Sequence, residues 1–102
     1  MSRKVLATCY NNKIGIGGKT CEGFCYSELS NDYKKKDFSA LGNLPLGKKL
    51  KITYKGKSCV AIKTDVGAGG PEHAKIDLHI NLARKIGFDM NKGYDYVTIQ
   101  EI

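Results

Sequence analysis

The sequence lacks several features that would place it in a large class of proteins. No run of apolar residues approaches the length of a membrane span, so we expect none. The apolar stretch from Val5 to Ala7 is far too short for the core of a secretory signal, so any signal peptide has been removed or never existed. Arginine is scarce, with two among seventeen basic residues. Because bidentate contacts to bases and phosphates are chiefly made by arginine, specific nucleic-acid binding is disfavoured.

The cysteines and histidines lack the spacing of a metal site. Cys9, Cys21, Cys25 and Cys59 contain no C-x2-C pair, and the two histidines are six residues apart. We expect neither a metal nor another cofactor. An even number of cysteines in a small domain favours disulfides in an oxidising compartment. Three pairings are open, and one hypothesis closes Cys21 on Cys25 around Gly23 and joins Cys9 to Cys59.

Size and charge indicate one small basic domain. With 102 residues, 41% of them apolar, the chain has the common size of one domain, and we expect a single one over residues 1–102. Its net charge of +7 predicts attraction to anionic polymers, which include nucleic acid, acidic polysaccharide and anionic cell wall. The lysine run at residues 34–36 is predicted to be a solvated loop rather than a binding site.

Alternation of apolar and polar residues predicts most of the strands. Residues 4–10 alternate as a first strand and residues 94–102 as a final one. Residues 48–65 have the pattern of a β-hairpin, with a tight turn at Lys55 and Gly56. These patterns therefore predict a mostly β structure.

The remaining segments are less regular. Residues 28–37 are polar without a clear period and predict an irregular excursion, and residues 38–41 predict a short strand. Glycine and proline make residues 66–71 a loop. Residues 80–86 have apolar side chains at helical spacing, with Gly87 suited to end the helix.

Four short motifs together carry a resemblance to a known family. They are Leu-Pro-Leu-Gly at residues 44–47, Gly-Lys-Ser at 56–58, Thr-Asp-Val-Gly at 64–67 and Ile-Asp-Leu at 76–78. In this order and spacing the chain resembles the RlpA-like lytic transglycosylases and the N-terminal domain of expansins. The resemblance extends from about residue 42 to residue 99, and the opening Ala-Thr-Cys-Tyr resembles the family's first strand.

The resemblance implies the fold. Members of this family are all-β, with a six-stranded double-psi β-barrel capped by one or two short helices. We expect this chain to form one such barrel and to be a monomer.

The resemblance also implies two catalytic carboxylates. Asp77, in the Ile-Asp-Leu motif, corresponds to the acid/base of relatives that act on glycans, and its apolar neighbours would raise its pKa. Asp65 corresponds to a second aspartate of the groove. Two carboxylates in one groove repel each other when both are charged, so the pKa of one of them would be raised further. The alternatives are that Asp77 hydrogen-bonds the start of the following helix and that Asp65 accepts the amides of Gly67 and Ala68.

Four further residues are implied at the substrate groove. Thr8 and Tyr10 would line its floor, with Tyr10 stacking on or hydrogen-bonding a sugar. Gly67 and His79 are assigned to substrate binding through the matching motifs, and His79 stands where relatives cap the helix. A tyrosine on a strand also packs in cores, so a purely structural Tyr10 is the alternative.

Departures from the family pattern limit the chemistry. Inverting hydrolysis needs a second carboxylate to activate water, and the matching position of family-45 cellulases is occupied here by Asn12. Lytic transglycosylation needs one acid/base, because a hydroxyl of the substrate replaces water. Residues 41–43 lack the histidine of RlpA-type enzymes, and the upstream acid has only Glu22 or Glu28 as counterparts.

These observations leave three functions open. The first is a secreted or extracellular lytic transglycosylase that acts on peptidoglycan or another acidic polysaccharide. The second is a non-catalytic carbohydrate-binding module like those of expansins and barwin. The third is a protease inhibitor or a structural module of a phage virion or secretion apparatus.

Overall fold

The computed structural model describes residues 2–10, 23–31, 37, 39–67 and 74–102. The described strands are β1 Ser2–Tyr10, β2 Cys25–Leu29, β3 Lys49–Tyr54, β4 Lys57–Gly67, β5 Ile76–His79 and β6 Tyr94–Glu101, and helix α1 Ile80–Lys85 lies between β5 and β6. The strands close into a barrel in the order β1-β5-β2-β4-β3-β6. The predicted all-β barrel of six strands with a short helix is confirmed.

The barrel contains two parallel strand pairs. β1 pairs with β5 and β2 pairs with β4 in parallel, and the antiparallel pair of β5 and β2 lies between them. β6 and β3 complete the wall through antiparallel pairs. Each of the six described strands has two neighbours, so the barrel is closed.

The core is filled by alternate side chains of the strands. On β3, Leu50 and Ile52 are fully buried, while the intervening Lys51 is exposed. On β6, Val97 and Ile99 point into the same cluster. Each fully buried Leu or Ile side chain contributes about 1.5–3 kcal/mol of hydrophobic stabilisation.

The hairpin of β3 and β4 and the helix follow their sequence signals. Lys55 and Gly56 have φ values of 47° and 86°, the left-handed pair that a two-residue type I′ turn requires. His79 caps α1 by accepting a hydrogen bond at Nδ1 from the Asn81 N–H at 3.3 Å, and Gly87 ends it with φ 71°. Both elements confirm the prediction.

A buried ion pair holds a loop against the barrel wall. Glu28 on β2 and Lys63 on β4 are 2.9 Å apart, and both side chains are almost fully buried. The Glu28 carboxylate also accepts the backbone N–H groups of Leu41, Asn43 and Leu44 at 2.7, 2.8 and 2.7 Å. Lys63 Nζ donates to the Leu44 carbonyl. Glu28 therefore has a structural role and is not the groove acid that it was considered for.

Three predictions about secondary structure are wrong. Val66 and Gly67, expected to begin a loop, are the last two residues of β4 and pair with Glu28 and Leu29 of β2. The start of the segment 28–37, expected to be irregular, belongs to β2, because a partner 35 residues away makes burial of Glu28 possible. The strand expected at 38–41 is not formed by the described residues 39–41, because Ala40 and Leu41 lie in a turn. The Ala40 N–H donates to the Leu29 carbonyl of β2 at 3.2 Å, and the Leu41 N–H donates to the Glu28 carboxylate.

The disulfide hypothesis is wrong for one pair. Cys9 and Cys59 are free thiols. They lie on β1 and β4, which are not neighbours in the barrel, whereas a disulfide needs closely spaced Cα atoms. Cys25 is fully buried and disulfide-bonded, with a partner outside the described residues. Its predicted pairing with Cys21 stays a prediction, because Cys21 also lies outside them.

Some expectations fall on parts of the chain that the structure does not describe. These are the lysine run at 34–36, residues 68–71 of the predicted loop, Asn12 and Glu22. Within the described ranges, no helix has the length and apolar character of a bilayer span.

Candidate functional site

A row of polar side chains crosses four neighbouring strands. Thr8 on β1 is the register partner of Asp77 on β5, Asp77 is the partner of Ser27 on β2, and Ser27 is the partner of Asp65 on β4. We call these four residues the polar row. The row brings together Thr8, Asp65 and Asp77, three of the residues that the sequence predicted for the site.

A β-bulge sets one end of the polar row. Tyr26 pairs with Lys63 but the next residue, Ser27, pairs with Asp65, so Thr64 is the extra residue on β4. A bulge re-aims the side chains beside it. Here it brings Asp65 opposite Ser27 and leaves Thr64 free of a strand partner on β2.

Asp77 is a half-buried carboxylate with a displaced pKa. Its neighbours Ile76 and Leu78 are fully buried in the core. Asp77 Oδ1 accepts a hydrogen bond from the Thr8 hydroxyl at 2.9 Å. Burial raises the pKa of Asp77 to about 6, and the Thr8 hydrogen bond opposes that rise. Asp77 can therefore exchange a proton near neutral pH.

The causes of this pKa differ in part from the sequence-based expectation. Desolvation was expected and is the main cause, whereas a contribution from Asp65 was expected and is not among the causes. The alternative role of Asp77 at the helix start is also not seen, because His79 provides the N-cap of α1.

Tyr10 connects the polar row to β4. Its side chain hydrogen-bonds with Ser27 and Thr64, and its ring meets the His79 ring edge-on with centroids 5.2 Å apart. Burial raises the pKa of Tyr10, and the negative charges of Asp77 and Asp65 raise it further. Tyr10 thus lies beside both carboxylates while remaining half-exposed.

The other predicted residues are more enclosed. Asp65 and His79 are 4% and 2% exposed. A side chain at Gly67 would bring its Cβ within 2.7 Å of Leu29 Cδ2, so the glycine allows β4 to pack closely on β2. The substrate-binding roles of Gly67 and His79 stay predictions, and their visible roles are in packing and in capping.

Several site residues were missed in the sequence. Ser27 and Thr64 lie at the bulge, which no local pattern indicates. Tyr94 on β6 is the register partner of Thr8 and is 44% exposed. The alternation of β6 could have indicated that Tyr94 and Tyr96 share one face, but not that this face adjoins Thr8.

The comparisons with known proteins place the fold. No protein-family model matches the chain, and no curated protein matches it. Among solved structures, an expansin of Clavibacter michiganensis is 21% identical with a TM-score of 0.65, over 100% of this chain and 50% of that one. An aspartate-to-asparagine mutant of a C. michiganensis expansin, in complex with cellohexaose, is 19% identical with a TM-score of 0.66 over the same shares.

A third solved structure is similar over nearly its whole length. The Streptomyces papain inhibitor is 17% identical with a TM-score of 0.67, over 98% of this chain and 93% of the inhibitor. By contrast, this chain spans about half the length of the expansins.

These similarities define the class. The chain is a double-psi β-barrel domain, with a polar row across four of its strands. Its barrel is consistent with the one that RlpA-like proteins and expansins share, as the sequence motifs implied.

Proposed function

We propose that this domain binds a cell-wall polysaccharide along the polar row and cleaves it without water, with Asp77 as the acid/base. The observation that carries the proposal is the half-buried Asp77 carboxyl with its pKa raised to about 6. An expansin to half of which this chain is similar is in complex with cellohexaose, which supports a glycan ligand for this domain.

The proposed reaction uses one carboxyl twice. Protonated Asp77 gives its proton to the glycosidic oxygen as the bond from that oxygen to the anomeric carbon breaks. A hydroxyl of the same sugar residue then forms a bond to the anomeric carbon, and its proton returns to Asp77. With a pKa of about 6, roughly a tenth of Asp77 is protonated at pH 7.

The neighbours of Asp77 have supporting roles in this proposal. The Thr8 hydroxyl positions the carboxylate through its 2.9 Å hydrogen bond. Tyr10 offers a half-exposed ring to a sugar. Asp65 is the second carboxylate of the row, and its burial leaves Asp77 as the more accessible of the two.

The experiment is a product assay on purified peptidoglycan sacculi. Wild-type protein should release soluble anhydro-muropeptides, detected by mass spectrometry, and Asp77→Asn should abolish the release. Asp89→Asn is the matched control, because Asp89 is exposed and is not part of the polar row. Full product release by the Asp77→Asn protein would refute the catalytic role.

The same assay identifies a non-catalytic binding module. Such a module would sediment with the sacculi and release no soluble products. Because the net charge is +7, sedimentation should weaken as the salt concentration rises. This outcome would assign the domain to the expansin-like or barwin-like alternative.

A protease-inhibiting function is favoured by one observation. The similarity to the papain inhibitor extends over 98% of this chain and 93% of the inhibitor, so the two are of comparable size. Titration of papain with the purified domain tests this function. Stoichiometric loss of papain activity, undiminished by Asp77→Asn, would support inhibition over glycan chemistry.

A wall-directed function implies an extracellular location, and the cysteines give a test of it. The disulfide at Cys25 suits an oxidising compartment. Cys9 and Cys59 are free thiols. Protein from its natural source should then contain two reactive thiols after denaturation. Four reactive thiols would favour a reducing compartment instead.

A further inference from the structure

The outer face of β6 has two exposed tyrosines. Tyr94 and Tyr96 are 44% and 53% exposed, although burial is favourable for aromatic side chains of this size. They are two residues apart on one strand, so their side chains leave the same face with Cα atoms about 7 Å apart.

Each tyrosine carries a lysine at its ring. Lys92 Nζ is 5.4 Å from the Tyr94 ring centroid, and Lys4 Nζ is 5.3 Å from that of Tyr96. We call these four residues the aromatic–lysine strip. Cation–π contacts hold the ammonium groups next to the rings.

The strip continues the candidate site. Tyr94 is the register partner of Thr8, and Thr8 donates to Asp77, so β1 alone separates the start of the strip from the strand that carries the carboxyl. From there it extends along β6 to Tyr96, whose register partner is Leu6. The strip and the polar row thus form a continuous path across β6, β1 and β5.

The charge on the strip is positive. Asp95 lies between the two tyrosines in sequence but points to the other face of β6, where its Oδ2 accepts the Tyr54 hydroxyl at 2.8 Å. The Asp89 carboxylate near Lys92 accepts the Lys92 backbone N–H at 3.1 Å. The negative charge of Asp95 still attracts Lys92. A ligand carboxylate therefore competes with Asp95 for Lys92, and it meets the Lys4 ammonium beside the Tyr96 ring.

We propose that the aromatic–lysine strip is a subsite for the carboxylate-bearing sugars of an acidic polysaccharide whose chain passes the Asp77 site. The rings take the apolar faces of successive sugars, and each ammonium pairs with a carboxylate beside its ring. This inference rests on the proposed polysaccharide function and adds the anionic character of the chain.

The test compares two polymers with the same backbone. Polygalacturonic acid carries one carboxylate per sugar, and its fully methyl-esterified form carries none. Wild-type protein should bind the acid form at least about tenfold more tightly than the ester, measured by calorimetry at fixed salt. Equal affinity for the two polymers would overturn the proposal.

Two double variants separate the rings from the charges. Tyr94→Ala with Tyr96→Ala should weaken binding of the acid polymer by about tenfold or more, since exposed aromatic anchors dominate such surfaces. Lys4→Gln with Lys92→Gln should reduce the preference for the acid over the ester by about fivefold, with little change for the ester.

A matched control removes the same charge elsewhere. Lys49→Gln with Lys57→Gln also lowers the net charge by two, on the hairpin of β3 and β4. This control variant should prefer the acid over the ester polymer to within about twofold of the wild-type preference. An equal loss in this control would mean general charge attraction and would overturn the subsite.

Failure of the subsite and failure of the proposed function give different results. If wild-type protein binds neither polymer and no sacculi, the polysaccharide function fails. If it binds them and the tyrosine variant binds equally well, only the strip is refuted.

Discussion

Thr8 and Asp77 show how one hydrogen bond tunes a buried carboxyl. Desolvation favours the neutral form of Asp77, whereas the Thr8 hydroxyl donates to its charged form. The two effects oppose each other, and desolvation is the larger. The result is a pKa of about 6, between that of an ordinary aspartate and that of a fully buried one.

Removing the Thr8 hydroxyl should raise the pKa of Asp77 above 6. Thr8→Val keeps the shape of the side chain but cannot donate, so the charged form of Asp77 loses its stabilising partner. The carboxyl carbon of Asp77 can be titrated by NMR. Thr98→Val on β6 is the control and should leave the titration unchanged. A pKa that stays the same or falls in Thr8→Val would contradict this account.

At the scale of elements, the pairing of β2 with β4 depends on a buried charge pair. Glu28 on β2 forms an ion pair with Lys63 and accepts hydrogen bonds from three backbone N–H groups of the loop at residues 41–44. The pair therefore fixes the two strands and the loop together. A buried carboxylate with all its partners is stable, but without its cation it is costly.

Lys63→Met should destabilise the domain by about 3–5 kcal/mol, because it leaves the Glu28 carboxylate buried without a cation. Urea unfolding at pH 7 measures the change. Lys57→Met, an exposed lysine on the same strand, should change the free energy of unfolding by about 0.5 kcal/mol or less. Similar losses in both variants would show that the ion pair is not what holds β2.

The elements also show where sequence patterns suffice. The hairpin of β3 and β4 was predicted because its alternation and its Lys-Gly turn are local signals. Helix α1 was predicted for the same reason, through its spacing and Gly87. β2 was missed because one of its buried residues is the charged Glu28. The lysine that pairs with Glu28 is 35 residues away in the sequence. A local sequence pattern cannot indicate a partner so far along the chain.

At the scale of the whole molecule, Asp77 couples stability to pH. Its folded-state pKa of about 6 lies above the ordinary value of 3.8, so the folded state holds more protons than the unfolded state between these pH values. Stability from this group is therefore complete below about pH 4 and is lost as the pH rises through 6. The cost at pH 8 is on the order of 3 kcal/mol.

Asp77→Asn should remove this cost while keeping an acceptor for Thr8. The variant should be more stable than wild type at pH 8 by on the order of 3 kcal/mol and equally stable near pH 4. Thermal and urea unfolding at the two pH values check this. Asp89→Asn should show no such pH-dependent gain. A variant that is less stable than wild type at pH 8 would contradict the sign of the shift.

The sequence by itself determined the hairpin of β3 and β4 and helix α1. Its ordered motifs also predicted the double-psi barrel and Asp77 as the candidate acid/base. These follow from short-range alternation, turn geometry and motif spacing, all of which are visible along one chain. Only the tertiary structure decided the pKa of Asp77, the structural role of Glu28 and the position of Tyr94 beside Thr8. Those properties depend on which strands become neighbours when the barrel closes, because burial and register join residues that are far apart in sequence.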